Sequence, residues 1–144
     1  MDEMKRTLAI VKPDALASGK AGKILAHLEG TGFVVRSLKL TRLTPAEARE
    51  FYAVHRDRPF FESLVAFMTS GPCLPVVLEA EGAVARLREV IGSTDPAEAA
   101  EGTVRKLYAE NKERNAIHAS DSEENASREI AFFFSHQEVL SLLT

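Results

Sequence analysis

The chain has 144 residues, 45% of them hydrophobic and 27% charged. That suffices for one normal core, and a single domain over 1–144 is expected. Its net charge of −3 and pI of about 5.8 exclude the broad basic footprint of a nucleic-acid binder, so no nucleic-acid partner is expected. No run approaches the roughly 18 consecutive apolar residues of a membrane span. The opening MDEMKRTLAIVKPD carries no apolar signal region. Cys73, the single cysteine, can form neither an internal disulfide nor a cysteine metal site. A cytoplasmic chain without a membrane partner is the expectation.

In chain order, KRTLAIVKPD predicts a strand ending at Lys12, stopped by Pro13, which has no amide proton for a ladder. AGKILAHLEG spaces Ile24, Leu25 and Leu28 for one helical face, ended by Gly30 and Gly32. FVVRSLKLTRL alternates as a second strand, with Val35, Leu38 and Leu40 among its apolar members. TPAEAREFYAVH opens a helix with Thr44 as cap, Pro45 first and Glu47 completing the capping spacing. RPFFESLVAFMTSG predicts a short helix behind Pro59, closed by Gly71, and CLPVVLEA a third strand with Cys73 as an inert core thiol. EGAVARLREVIG reads as a helix from Gly82 to Ile91, and STDPAEAAEGT as a polar loop. NAIHAS is a short fourth strand, and DSEENASREIAFFF a helix opened by the Asp121 to Glu124 spacing. The order β-α-β-(α-α)-β-α-β-α predicts an α/β (α+β) architecture. Its best fit is the ferredoxin-like split βαβ, a four-stranded antiparallel sheet covered by helices, with two main helices on one face. A doubly wound parallel sheet is the alternative.

Neither backbone cradle for phosphate is present. SGKAGK lacks P-loop spacing, G-x-G-x-x-G is absent, and Lys20 and Lys23 read as a solvated helix face. Side chains must therefore hold any phosphate. His118, ending the apolar run NAIH, is a core histidine, a metal ligand or a nucleophile. Ser120 and Asp121 follow it, and Glu129 lies three residues after Ala126 and four before Phe133. That spacing puts a carboxylate at the margin of an apolar helical stripe, where an unpaired charge is costly. Glu129 either reaches solvent or accepts an imidazole N–H, and the second arrangement would fix the tautomer and leave the other ring nitrogen to attack. Metal ligation by His118 is disfavoured, because His27, His55 and His136 show no ligand spacing around it. Those three read as surface or structural histidines. Lys12 ends a strand, Arg88 precedes the polar loop, Arg105 follows it, and Thr94 lies within it. A lysine and two arginines suit phosphate oxygens as point charge and forks. Spacing alone does not say that they converge.

The blocks IVKPDA, FYAVHRDRPFF, LVAFMTSGP, IGSTDP, GTVR and NAIHASDS…REIAFFF, in unbroken order from Arg6 to Phe134, closely resemble the nucleoside diphosphate kinases. The resemblance implies a phosphotransferase that moves the γ-phosphoryl group of a nucleoside triphosphate, chiefly ATP, to nucleoside diphosphates through a phosphohistidine at His118. It implies Glu129 as the group orienting the imidazole, Ser120 as its support and Tyr52 as the tyrosine beside it. Lys12, Arg88, Thr94 and Arg105 match the phosphate contacts, Lys12 and Asn115 the ribose contacts, and Phe60 the ring on which the base stacks. Mg²⁺ would ride on the nucleotide phosphates, with Asp121 touching it through water. The family also implies a homo-oligomer, a tetramer or hexamer built from dimers, to which the TDPAEAAEGT loop could contribute. Ala119 stands where many members have glycine, and Lys112 where others place an apolar residue near the base. A nucleotide-binding regulatory module would not need His118 with Glu129 and Lys12, and a histidine phosphocarrier would not need Phe60, Asn115 or Thr94.

Overall fold

The computed structural model describes residues 4–140. In β1 (Met4–Val11), Leu8 through Val11 are fully buried, because this continuous apolar run is covered on both faces. β3 (Leu74–Glu81) pairs with it on one side and β4 (Ile117–Ala119) on the other, while β2 (Val34–Leu38) lies outside β3. All three pairings are antiparallel and the order is β2-β3-β1-β4. β1 and β2 are thus parallel with β3 between them, and β3 and β4 parallel with β1 between them. This is the ferredoxin-like double split βαβ, and it excludes the doubly wound parallel sheet.

The period of two sorts the strands into two layers. Ala9, Val11, Val76, Leu78, Ile117 and Ala119 pack with Ile24 and Leu28 of α2 (Ala21–Gly30) and Leu87 and Ile91 of α5 (Ala83–Ile91). Leu8, Ile10 and Val77 face the opposite layer. It holds Phe51 of α3 (Pro45–Phe51), Val65 and Met68 of α4 (Phe61–Met68) and Phe133 of α7 (Glu123–Phe133). Two main helices do share a face as expected, but the other face is covered as well. The insertion between β2 and β3 supplies two helices whose apolar stripes must also be buried.

Several local details depart from the sequence reading. Pro13 ends β1 and also opens α1 (Pro13–Ala17), since a first helical residue needs no amide proton. The helix expected over 44–55 stops at Phe51 and passes into a 3₁₀ turn, Ala53–His55, although the Thr44–Glu47 capping box forms. α6 (Val104–Tyr108) was not anticipated; Thr103 caps it by accepting from the Lys106 amide. α8 (His136–Leu140) follows α7. The cap of α7 is Ser122, which accepts from the Asn125 amide at 3.0 Å, rather than Asp121, whose carboxylate accepts from the Asn125 side chain. Leu40 lies beyond β2 and, like Leu38, is exposed, as suits the end of a bulged edge strand. Cys73 is fully buried and its thiol is pushed up to about 11 by burial, an inert core group.

Candidate active site

Register and helix spacing assemble the centre of the site. His118 pairs with Ile10, so its side chain joins the layer under α3, α4 and α7. In α7 the buried residues are Ala126, Glu129 and Phe133, one stripe spaced by three and four, so a carboxylate is aimed into an apolar layer. It meets two donors there. His118 Nε2 lies 2.7 Å from Glu129 Oε1, and Ser120 Oγ donates to the same oxygen at 2.8 Å. A carboxylate only accepts, so Nε2 carries the proton and Nδ1 keeps its lone pair. Arg128 Nη2 stands 3.6 Å from the second carboxylate oxygen. The rings of Phe51 and Tyr52 lie edge-on to the imidazole, with centroids 5.4 and 6.0 Å away. Burial lowers the His118 pKa below its ordinary value; the nearby Lys12 and Arg105 add to that, against the opposing pull of Glu129. A neutral imidazole at neutral pH is the outcome.

Cations converge beside it. Lys12, one residue past β1 and two past Ile10, donates to Asn115 Oδ1 at 2.8 Å and is only 7% exposed. Burial, then the neighbouring Arg105, bring its pKa down to about 8, against Asp14 and Glu113. Arg105, equally buried, donates to Gly92 O at 3.0 Å and Ile117 O at 2.8 Å, while its Nε has no partner among the described residues. Burial and Arg88 lower its pKa to about 10. Gly92 permits this arrangement: its φ is +89°, and a Cβ there would come within 2.6 Å of Thr103 Oγ1. That close approach draws together the ends of the loop bearing Thr94, whose carbonyl accepts from Asn115 Nδ2 at 3.3 Å. Arg88 donates to Ala119 O at 3.4 Å and is otherwise exposed. The residues that spacing could not join are thus in one place.

At the mouth, Phe60 is 47% exposed while Phe61 is buried, so one aromatic of the pair is available as a platform. A file of rings runs inward from it: Phe60 to His55 at 5.7 Å, His55 to Tyr52 at 6.5 Å, then Tyr52 to His118. The Tyr52 hydroxyl is buried without a partner among the described residues, and burial raises its pKa, so it remains a protonated donor. No group of three or more His, Cys, Asp or Glu able to hold a metal occurs among the described residues. Asp121, exposed and bonded through one oxygen to Asn125, is a lone carboxylate beside His118 and Arg88. That donor set fits a cation carried chiefly by a substrate's phosphates.

Three neighbours escaped the sequence reading. His55 joins the ring file, and its signal was only its place in FYAVHRDRPFF. Glu113 accepts from Ser63 Oγ at 2.6 Å, tying the 110–114 turn to α4. Asp14 accepts from the Ala116 amide, a partner 102 positions away that no local pattern reveals.

A split βαβ sheet bearing a histidine oriented through one nitrogen, with two buried cations and an exposed arginine beside it, defines a phosphotransferase-like site. The comparisons agree. The family model for nucleoside diphosphate kinase matches residues 5–139. The nucleoside diphosphate kinase of Chlorobium chlorochromatii is 58% identical over 137 residues, covering 95% of this chain and 98% of that protein. Among solved structures, the Aquifex aeolicus nucleoside diphosphate kinase superposes with a TM-score of 0.93 at 51% identity, covering 95% of this chain and 99% of that one. The Halobacterium salinarum enzyme, solved with CDP, gives a TM-score of 0.89 at 41% identity, covering 96% and 91%. The chain belongs to the nucleoside diphosphate kinase family and is a phosphotransferase. No helix among the described residues is long and apolar enough to cross a membrane.

Proposed function

We propose that His118 Nδ1 takes the γ-phosphoryl group of a nucleoside triphosphate, chiefly ATP, and returns it to the terminal phosphate of a nucleoside or deoxynucleoside diphosphate. One observation carries this reading: Nε2 is committed to Glu129 at 2.7 Å, which leaves Nδ1 as the free nucleophile. As Nδ1 bonds to phosphorus, positive charge grows on the ring, and the carboxylate against Nε2–H stabilises it. Breaking the bond from the γ-phosphorus to its bridging oxygen releases the diphosphate. The second half-reaction reverses these events with a new diphosphate, so one site serves both substrates and the kinetics are ping-pong.

Phosphoryl transfer is loose and depends on positioning and charge. Lys12, Arg88 and Arg105 supply positive charge, with the unpartnered Nε of Arg105 and the Thr94 hydroxyl as further donors. Lys12 and Asn115, already bonded to each other, face the ribose hydroxyls. Tyr52 and Ser120 hold the imidazole and its carboxylate, and Phe60 stacks on the base, which tolerates any base because each has a π-face. Mg²⁺ would be held chiefly by the nucleotide phosphates, with Asp121 as the protein group that would reach it through water, and would supply charge neutralisation there. The chain works as one domain in the cytoplasm, a compartment that suits its single unpaired thiol. Its assembly is a tetramer or hexamer of dimers, to which the exposed apolar edge of β2 gives one surface.

The test is a labelled half-reaction. The protein is mixed with γ-labelled ATP and Mg²⁺, freed of nucleotide, then given unlabelled dCDP. Acid-labile label at His118 that discharges as dCTP is expected. Label that stays on the protein points to a phosphocarrier, and nucleotide binding without label overturns the reading.

A further inference from the structure

Among the described residues Ala116 is the only non-glycine with positive φ, at 73°. The Ile117 amide donates to Asn115 O at 2.9 Å, closing a three-residue γ-turn of the strained hand. Ala116 is fully buried. The turn lies between two site residues: Asn115, which holds Lys12 Nζ, and His118. Two bonds from a distant segment grip it. The Lys12 amide donates to Ala116 O at 2.9 Å, and the Ala116 amide donates to Asp14 Oδ2 at 3.1 Å. Asp14 is 9% exposed and its Oδ1 has no partner among the described residues. A buried carboxylate so sparsely bonded is costly to keep, and its one described hydrogen bond is spent on the strained peptide.

We propose that Asp14 is a positioning residue for phosphoryl transfer: its carboxylate clamps the Ala116 amide and holds the γ-turn that sets His118 and Asn115 against the substrate. The inference rests on His118 as the phosphoryl acceptor. The competing role for Asp14 is as a countercharge to Lys12. The two separate cleanly, because a clamp needs an acceptor atom and a strained partner, whereas a countercharge needs only the negative charge.

The experiment compares D14A, D14N, A116G and D14A/A116G by the rate at which His118 takes acid-labile label from saturating γ-labelled ATP, below the unfolding temperature of each variant. D14A should slow labelling about 10²-fold, the effect of roughly 1 Å of misplacement. D14N keeps an acceptor oxygen and should stay within about threefold of the parent. D14A/A116G should recover most of the loss, because glycine takes positive φ without the clamp. If D14N is as slow as D14A and A116G rescues nothing, the clamp is overturned in favour of the countercharge. D14A labelling at the parental rate overturns it too. Where D14A does not fold, a double variant that folds and labels supports the clamp, and one that stays unfolded or inactive overturns it. A parent that takes no label overturns the His118 reading and this inference together; a labelled parent with an unaffected D14A overturns this inference alone.

Discussion

Around His118, Lys12, Arg105, Asn115 and Glu129 are each less than 8% exposed and hydrogen-bonded within the protein, with Arg88 and Thr94 on their solvent side, whereas at the mouth Phe60 is 47% exposed and Lys112 stands toward solvent. The buried part of the phosphate end is preorganised, with each polar group there oriented by another. The mouth offers an open ring and few fixed hydrogen-bonding groups. Discrimination among bases requires buried groups built to hydrogen-bond one of them. Their scarcity at the mouth, against their abundance around His118, leads to the expectation of strict handling of the phosphates and tolerance of any base.

Substitutions at the two ends should therefore fail in different ways. H118N removes the nucleophile and should lower kcat by about 10⁴-fold or more, with no label on the protein. E129Q leaves the imidazole misoriented and its growing charge unbalanced, and should slow phosphohistidine formation about 10²-fold with little change in nucleotide affinity. F60A should raise KM roughly tenfold, the loss of one base–aromatic stack, by similar factors for purine and pyrimidine substrates and with kcat nearly unchanged. A strong base dependence in F60A, or a KM effect in E129Q, would blur the contrast between the two ends.

A pH profile sharpens the contrast further. Burial, with Lys12 and Arg105, depresses the His118 pKa, so kcat/KM should hold as pH falls through the ordinary histidine value of 6.5 and decline only below it. The unfolded chain protonates this histidine at higher pH than the folded one. Its contribution to stability is therefore present above 6.5 and lost as pH falls toward the lower folded value. On the alkaline side, Lys12 at about 8 should set the limb, and K12R should move that limb upward even where it lowers the rate. An unmoved limb in K12R would detach it from Lys12.

Much of this was legible in the chain. Period two in the strands and the stripe Ala126–Glu129–Phe133 are local, so the strands and the place of the carboxylate at the margin of the stripe could be read directly, while its turn inward to His118 rather than out to solvent could not. Phe60 and Phe61 read alike as helix core by composition, so the choice of Phe60 as the exposed ring came from the family resemblance, and the structure exposes Phe60 while burying Phe61. The missing parts are those without a local signature. α1 hides behind Pro13, which signals a stop and a start alike. α6 is too short for its apolar spacing to register. The positive φ of Ala116 leaves no mark in sequence, because alanine there is imposed by the Asp14 contact 102 positions away and not by its own preference. The convergence of Lys12, Arg88 and Arg105 is likewise a product of strand register and loop closure at Gly92.

If Glu129 reserves Nε2 and so directs chemistry to Nδ1, the phosphoryl group must sit on one ring nitrogen and not the other. The protein, phosphorylated with ATP and freed of nucleotide, would be examined by ¹⁵N and ³¹P NMR with labelled histidine. A single phosphohistidine is expected, bonded through Nδ1 of His118, with the Nε2 proton retained. Phosphorus on Nε2, or on another residue, would contradict it.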